Sequence, residues 1–270
     1  MQPEQRHWDA FYRDLKSRSG IDLSLYKQDQ IRRRILALMG SDGARDLNEF
    51  GSMLARDPQG DSRLLVHLAI NVTSMFRNPE KWQVLEEHVL PDLLRRTGAI
   101  SAWSAGCSLG SEPFSLAALL NERAPGLHRV LATDLDPEAL EQAKAAHFLQ
   151  SQLDAMPRDS LRKQFEACEG GFRPNSVLRR MVTFARHNLL LAPPQRGFDL
   201  ILCRNVTIYF NEEAKAALNR NFFDALRPGG YLLVGNTERI FDSREIGFES
   251  PHTCFYRKPE GGAQSWQHAS

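Results

Sequence analysis

The run Ser104-Ala-Gly-Cys-Ser-Leu-Gly110 follows the strand-like stretch Ile100–Trp103 and precedes a helical pattern from Glu112 to Asn121. A strand, a loop of small residues and a helix in that order suit a nucleotide-type ligand. Glycine lets the backbone come close, and the helix start offers unpaired N–H groups with a partial positive charge. Gly106 and Gly110 are the close-approach points. Taken alone, such a loop serves equally well just to turn the chain. A second strand, Val130–Thr133, then ends at Asp134, where an acid can accept both hydroxyls of a ribose. Asp136, directly before Pro137, fits the cap of the next helix better. Loop and acid together predict an adenosine-containing ligand. The loop is not G-x-G-x-x-G and offers no pyrophosphate cradle, which favours a cofactor without phosphates, such as S-adenosylmethionine.

Other chemistries lack their residues. There is no Ser-His-Asp order and no H-E-x-x-H, and the eight histidines show no ligand spacing, so no metal site is expected. Cys107, Cys168, Cys203 and Cys254 form no C-x-x-C pair, which fits a reducing cytosol. Lys plus Arg number 34 against 33 Asp plus Glu, so any charged partner must be recognised by local patches. The densest basic run, Arg32-Arg33-Arg34, has no interleaved aromatics, which argues against nucleic acid. Met1–Ala10 is polar and mixed in charge, unlike a signal peptide, and no run approaches the ~20 apolar residues that span a bilayer. A soluble, cytoplasmic protein without membrane insertion is expected.

Two textures divide the chain. Trp8, Phe11, Tyr12 and Leu15, then Ile31, Ile35, Leu38 and Met39, recur at helical spacing. Leu47, Phe50 and Leu54 suggest a third helix, and Leu64, Leu65 and Leu68 a fourth. Residues 1–78 therefore read as a small all-helical domain. A linker helix over 79–97 opens at Pro79. From 98 to 258 strands alternate with helices: Val182–Phe184, Phe198–Leu202, Tyr231–Val234 and Cys254–Arg257 are strand-like, and Pro137–Ala146 and Asn211–Leu226 helical. This pattern predicts an α/β domain with a mostly parallel sheet. Residues 259–270 read as a flexible tail.

Five ordered segments now become specific: Asn71-Val-Thr-Ser-Met-Phe-Arg77, Trp103–Ser115, Ala132-Thr-Asp-Leu-Asp136, His187-Asn-Leu-Leu190 and Phe198–Phe210. In this order they resemble the motifs of the CheR family, chemotaxis-type methyltransferases that esterify receptor glutamates, over roughly Ile21 to Tyr256. The resemblance implies a Rossmann-like class I methyltransferase domain behind an all-α docking domain. It also implies a small antiparallel β insert, placed at about 170–187. Asn71, Thr73 and Arg77 would reach the methionyl part of S-adenosylmethionine, Ala105 and Gly106 would belong to its loop, Glu112 would take its ammonium and Asp134 its ribose. Asn188 and Leu189 would flank the adenine, with Asn205 and Val206 facing the cofactor from the fourth strand's end. Departures from the pattern fall at Met75, Leu109, Ser111 and the turn Asn236-Thr-Glu238; Leu109 and Ser111 bear on cofactor affinity.

A glutamate side chain is already ionised at neutral pH, so its methylation needs no general base. It needs in-line placement at ~3–3.5 Å and exclusion of water. Arg77, Arg204 and Tyr209 are the candidates to hold the incoming carboxylate, Arg through its planar fork and Tyr through one donor. Against glutamate-rich receptor helices, Arg32, Arg33 and Arg34 would steer docking, with Arg179, Arg180 and Arg186 of the insert as a second patch. The product would be S-adenosylhomocysteine, and the enzyme a monomer. Two other readings stay open on the residues: a methyltransferase on another substrate, and a module that binds S-adenosylmethionine or S-adenosylhomocysteine and regulates without turnover.

Overall fold

The computed structural model describes residues 3–68, 73–154 and 156–261. Four helices open the chain: α1 (Pro3–Ser19), α2 (Gln28–Ser41), α3 (Leu47–Arg56) and α4 (Gly60–Leu68). Their apolar faces share one core in which Trp8, Phe11, Leu15, Ile35, Phe50, Leu54 and Leu64 are buried. Asp46 caps α3 by accepting the N–H groups of Asn48 and Glu49.

The linker is one continuous helical rod made of three pieces: α5 (Pro79–Val84), a widened π turn (Leu85–Val89) and α6 (Leu90–Thr97). Pro91 explains the widening. Proline has no N–H and its ring crowds the carbonyl four residues back, and a π turn relieves both. The Leu90 N–H accordingly reaches the Leu85 carbonyl.

The α/β domain follows. Its elements are β1 (Ser101–Ala105), α7 (Ser111–Arg123), β2 (Arg129–Asp134), α8 (Pro137–Ala145), α9 (Gln150–Asp154), α10 (Asp159–Arg162), β3 (Phe165–Cys168) and β4 (Gly171–Pro174). Then come α11 (Ser176–Met181), β5 (Val182–Arg186), β6 (Phe198–Cys203), α12 (Glu212–Ala225), β7 (Leu226–Val234), α13 (Ser243–Ile246), β8 (Glu249–His252) and β9 (Phe255–Arg257). Seven strands form one sheet in the order β5-β2-β1-β6-β7-β9-β8, parallel from β5 to β7, with β9 antiparallel to both β7 and β8. β6 is buried at every residue, as a central parallel strand must be. The order reverses between β1 and β6. That is the switch point where loops at the carboxyl ends part and a ligand can enter.

The small antiparallel ladder exists, but it begins before residue 170 and only its second strand falls within 170–187. It is the hairpin β3–β4, turned at Glu169-Gly170 with Gly170 at φ +72°. Val182–Arg186 instead runs parallel to β2, from Val130↔Val182 to Asp134↔Arg186, and completes the main sheet. Its apolar residues serve the main core, so it was never available to an insert. The segment Pro228-Gly-Gly lies inside β7 at a register irregularity.

The two domains are stitched by backbone. The Lys27 N–H donates to the Tyr209 carbonyl at 2.9 Å, and the Asn211 N–H to the Leu25 carbonyl at 2.9 Å. The Tyr26 and Phe210 rings meet edge to face, 4.9 Å apart. No helix among the described residues is long and apolar enough to cross a membrane.

Candidate functional site

The carboxyl ends of β1, β2, β5 and β6 open into a cleft of about 460 Å³, roofed by α2, α4 and the Leu23–Tyr26 turn of the helical domain. Its glycine loop is shaped by Asp134. One carboxylate oxygen accepts the Ser108 N–H at 2.7 Å and the other the Asp136 N–H at 3.0 Å. Burial raises the Asp134 pKa, partly offset by those backbone donors. Asp136 caps α8 through the N–H groups of Glu138 and Ala139. Gly106 has φ +82°, and a Cβ there would stand 2.5 Å from the Val206 side chain. Gly106→Ala is therefore expected to weaken cofactor binding at least about tenfold, by strain and by pushing the two walls apart. Titration calorimetry with S-adenosylhomocysteine checks this, and wild-type affinity would refute it.

Glu112, in the first turn of α7, is the second acid of the floor. It accepts the Ser104 hydroxyl at 2.8 Å and faces the Arg204 guanidinium at 3.5 Å. Burial raises its pKa, Arg204 and Ser104 oppose the rise, and the Glu238 charge adds to it. Such a half-buried carboxylate facing the cleft is suited to an incoming ammonium group. Ser115 joins the linker to this helix: its hydroxyl donates to the Ser111 carbonyl at 2.7 Å and accepts the Phe76 N–H at 3.1 Å. The Ser111 hydroxyl is buried, with no hydrogen-bond partner among the described residues.

The remaining expected residues fall as follows. Thr73, Arg77, Asn188, Leu189, Asn205, Val206 and Tyr209 line the cleft. Ala105 does not: it is wholly buried at the end of β1, behind the cleft wall. Asn71 lies outside the described residues. Arg204, expected at the substrate carboxylate, also lines the cleft, with its side chain only 3% exposed. Besides Glu112 it donates to the Arg77 carbonyl and to Asn78 Oδ1, and it lies over the Trp82 ring. It thus stands in the cleft lining and faces Glu112 from there. Tyr209 is half-buried; burial raises its pKa, while the Arg34 and Arg77 charges pull it down. Those two guanidiniums and the phenol therefore share the mouth. The thiols of Cys107 and Cys203 are pushed well up by burial and by neighbouring carboxylates, which removes thiolate chemistry.

The basic helix divides in three. Arg32 turns to α1, donating to Gln5 at 2.7 Å and lying over the Trp8 ring. Arg34 clamps α2 to α4 by two bonds to the His67 carbonyl, at 3.1 and 2.6 Å. Arg33 alone of the three is exposed, and it lines the cleft. Arg179, Arg180 and Arg186 are exposed near the free edge of β5, not in the hairpin.

Two contributors escaped sequence reasoning. Tyr26 reaches over the seam towards Asp134, whose charge together with burial pushes the phenol to about 12. Glu238, in the turn after β7, gathers the backbone of Asn205–Thr207. The sequence marks its turn, Asn236-Thr-Glu238, only as a departure from the family pattern, with no sign of the backbone it holds.

A parallel sheet with one antiparallel edge, a glycine loop after β1 and an acid closing β2 define a Rossmann-like, S-adenosylmethionine-dependent methyltransferase domain. Two family models match the chain: the all-alpha domain of CheR methyltransferases over residues 6–68, and their SAM-binding domain over 71–253. The chain belongs to the CheR methyltransferase family. It is 37% identical over 251 residues to a chemotaxis protein methyltransferase of Listeria innocua, covering 92% of this chain and 95% of the relative. The chemotaxis protein methyltransferase of Escherichia coli K12 is 31% identical over 247 residues, covering 86% and 85%.

Proposed function

We propose that this chain methylates glutamate side chains of chemoreceptors, forming γ-methyl esters and S-adenosylhomocysteine, as a cytoplasmic monomer. The observation that carries the reading is the presence of both charges in one cleft. The sheet side of its lining carries the carboxylates of Glu112 and Asp134, with Arg204 beside Glu112, and the lining also carries Arg33 and Arg34 from α2 and Arg77. The carboxylates suit a cofactor bearing ammonium and ribose hydroxyls; the guanidiniums suit a carboxylate arriving on a protein. Relatives called chemotaxis protein methyltransferases support the receptor as that protein.

The bound cofactor would supply a sulfonium methyl that is electrophilic without further activation. Glu112 and Asp134 would hold its ammonium and ribose, with Thr73 and Asn71 at its methionyl end. Leu189, Asn188 and Val206 would cover the adenine side. Arg77 and Tyr209 would present the glutamate, loosely enough to leave its oxygen nucleophilic. The helical domain excludes water from above, where Leu23, Ile31 and Leu65 line the roof.

Arg33→Glu is expected to raise the KM for a receptor fragment about tenfold, more at low salt, with kcat nearly unchanged. Arg32→Glu should instead lower the melting temperature, because its partners lie within the helical domain, and Arg34→Glu should do both, since it clamps α2 to α4 and also lines the cleft. Steady-state kinetics and thermal melts separate the three. The reaction itself is tested with labelled cofactor and receptor cytoplasmic fragments carrying either glutamate or glutamine at the acceptor positions. Label confined to the glutamate fragment is expected. Equal label in both, or cofactor binding with no label in either, would overturn the reading.

A further inference from the structure

Glu238 is 5% exposed, and five donors converge on its carboxylate. Oε1 accepts the Val206 N–H at 2.9 Å, the Thr207 N–H at 2.7 Å and the Thr207 hydroxyl at 2.8 Å. Oε2 accepts the Gly235 N–H at 2.8 Å and the Asn205 N–H at 2.5 Å. Only a carboxylate presents about four lone-pair sites and no hydrogen of its own. A carboxamide in the same place would turn an NH2 group towards two N–H donors.

The turn so held is one wall of the cofactor cleft. Asn205 is in the left-handed region at φ +60°, a conformation that must be supported from outside. Val206 closes on Gly106, leaving no room for a Cβ on that glycine. The next turn, Thr207–Tyr209, carries the phenol of the mouth, and the Tyr209 carbonyl receives the Lys27 N–H of the helical domain. Gly235 is fitted to the same carboxylate: a Cβ there would stand 2.3 Å from Glu238 Oε2.

We propose that Glu238 is a positioning residue. It fixes the Asn205–Thr207 turn against the glycine loop, so that the cofactor wall and Tyr209 keep one geometry. The kinetic half of this inference rests on the proposed glutamate methylation; the binding half does not.

The test compares Glu238→Gln and Gly235→Ala with wild type in the full chain. S-adenosylhomocysteine affinity is measured by calorimetry, kcat and KM on a receptor fragment, and stability by thermal melt. In both variants the affinity should fall about tenfold and kcat per cofactor-binding site about 100-fold at saturation, while KM for the fragment changes little. Gly235→Ala leaves the carboxylate in the chain and displaces it, crowding the Asn205 N–H as well at 3.0 Å, so it tests the same contact if Glu238→Gln does not fold. A lowered melting temperature with wild-type affinity and kcat in the folded fraction would reduce Glu238 to a stability role and overturn the proposal. If wild type itself transfers nothing, the glutamate reading fails, and the affinity of the variants still decides whether Glu238 sets the wall.

Discussion

Glu112→Gln should lower affinity for S-adenosylmethionine about 100-fold, on the order of 3 kcal/mol. That figure is the loss at the cofactor, and a second loss falls on the protein itself. The amide gives the cofactor's ammonium a neutral acceptor in place of a charge, and it leaves Arg204, with a side chain only 3% exposed, without its carboxylate. Part of the cost therefore appears as instability of the free protein. The same carboxylate predicts a pH dependence. In the free protein burial raises the Glu112 pKa, so acid protonates it more readily than an exposed glutamate. An ammonium favours the ionised form, so binding expels a proton wherever the site is partly protonated. Affinity must then fall as pH drops into the mildly acidic range and level off above the raised pKa. Asp134, also raised by burial, contributes in the same sense. Glu112→Gln should keep only the Asp134 part of that slope. Calorimetry across pH, in buffers of different ionisation enthalpy, checks both magnitude and sign; an affinity independent of pH would contradict the assignment.

Arg77→Ala should cut kcat about 100-fold with a smaller change in cofactor affinity, through loss of placement of the acceptor carboxylate. The backbone of Arg77 belongs to the framework: its carbonyl accepts the Trp82 indole N–H at 3.1 Å and the Arg204 guanidinium. Those bonds survive the substitution, so the side chain is tested by itself. Lysine should rescue poorly, because a point charge lacks the planar fork that orients a carboxylate. Single-turnover transfer at saturating cofactor measures the effect. A kcat within about threefold of wild type would remove Arg77 from the substrate's grip.

How far these residues could be read from sequence follows from how local their signals are. The glycine loop and Asp134 sit at strand ends within one β-α-β unit, so spacing alone pairs them. Asp136 declared itself a cap by standing before Pro137. The three arginines of α2 needed geometry. At ~100° per residue Arg33 lies about 200° from both Ile31 and Ile35, opposite the buried face, whereas Arg32 and Arg34 border it and fold back onto α1 and α4. The same helical wheel, drawn first, separates them. Glu238 and Tyr26 were illegible for a different reason. Each meets the site across a long stretch of chain, Glu238 thirty or so residues beyond its donors and Tyr26 from the other domain. The hairpin Phe165–Pro174 was hidden by its shortness, and Val182–Phe184 was an apolar run that either an insert or a sheet edge could have used.

The central claim is that a carboxylate receives the methyl group. Receptor cytoplasmic fragment labelled by this protein with methyl-labelled cofactor should release that label as volatile methanol under mild base, since a γ-methyl ester hydrolyses there. Methylated nitrogen or sulfur does not. Label that stays on the fragment after mild base would contradict glutamate methylation.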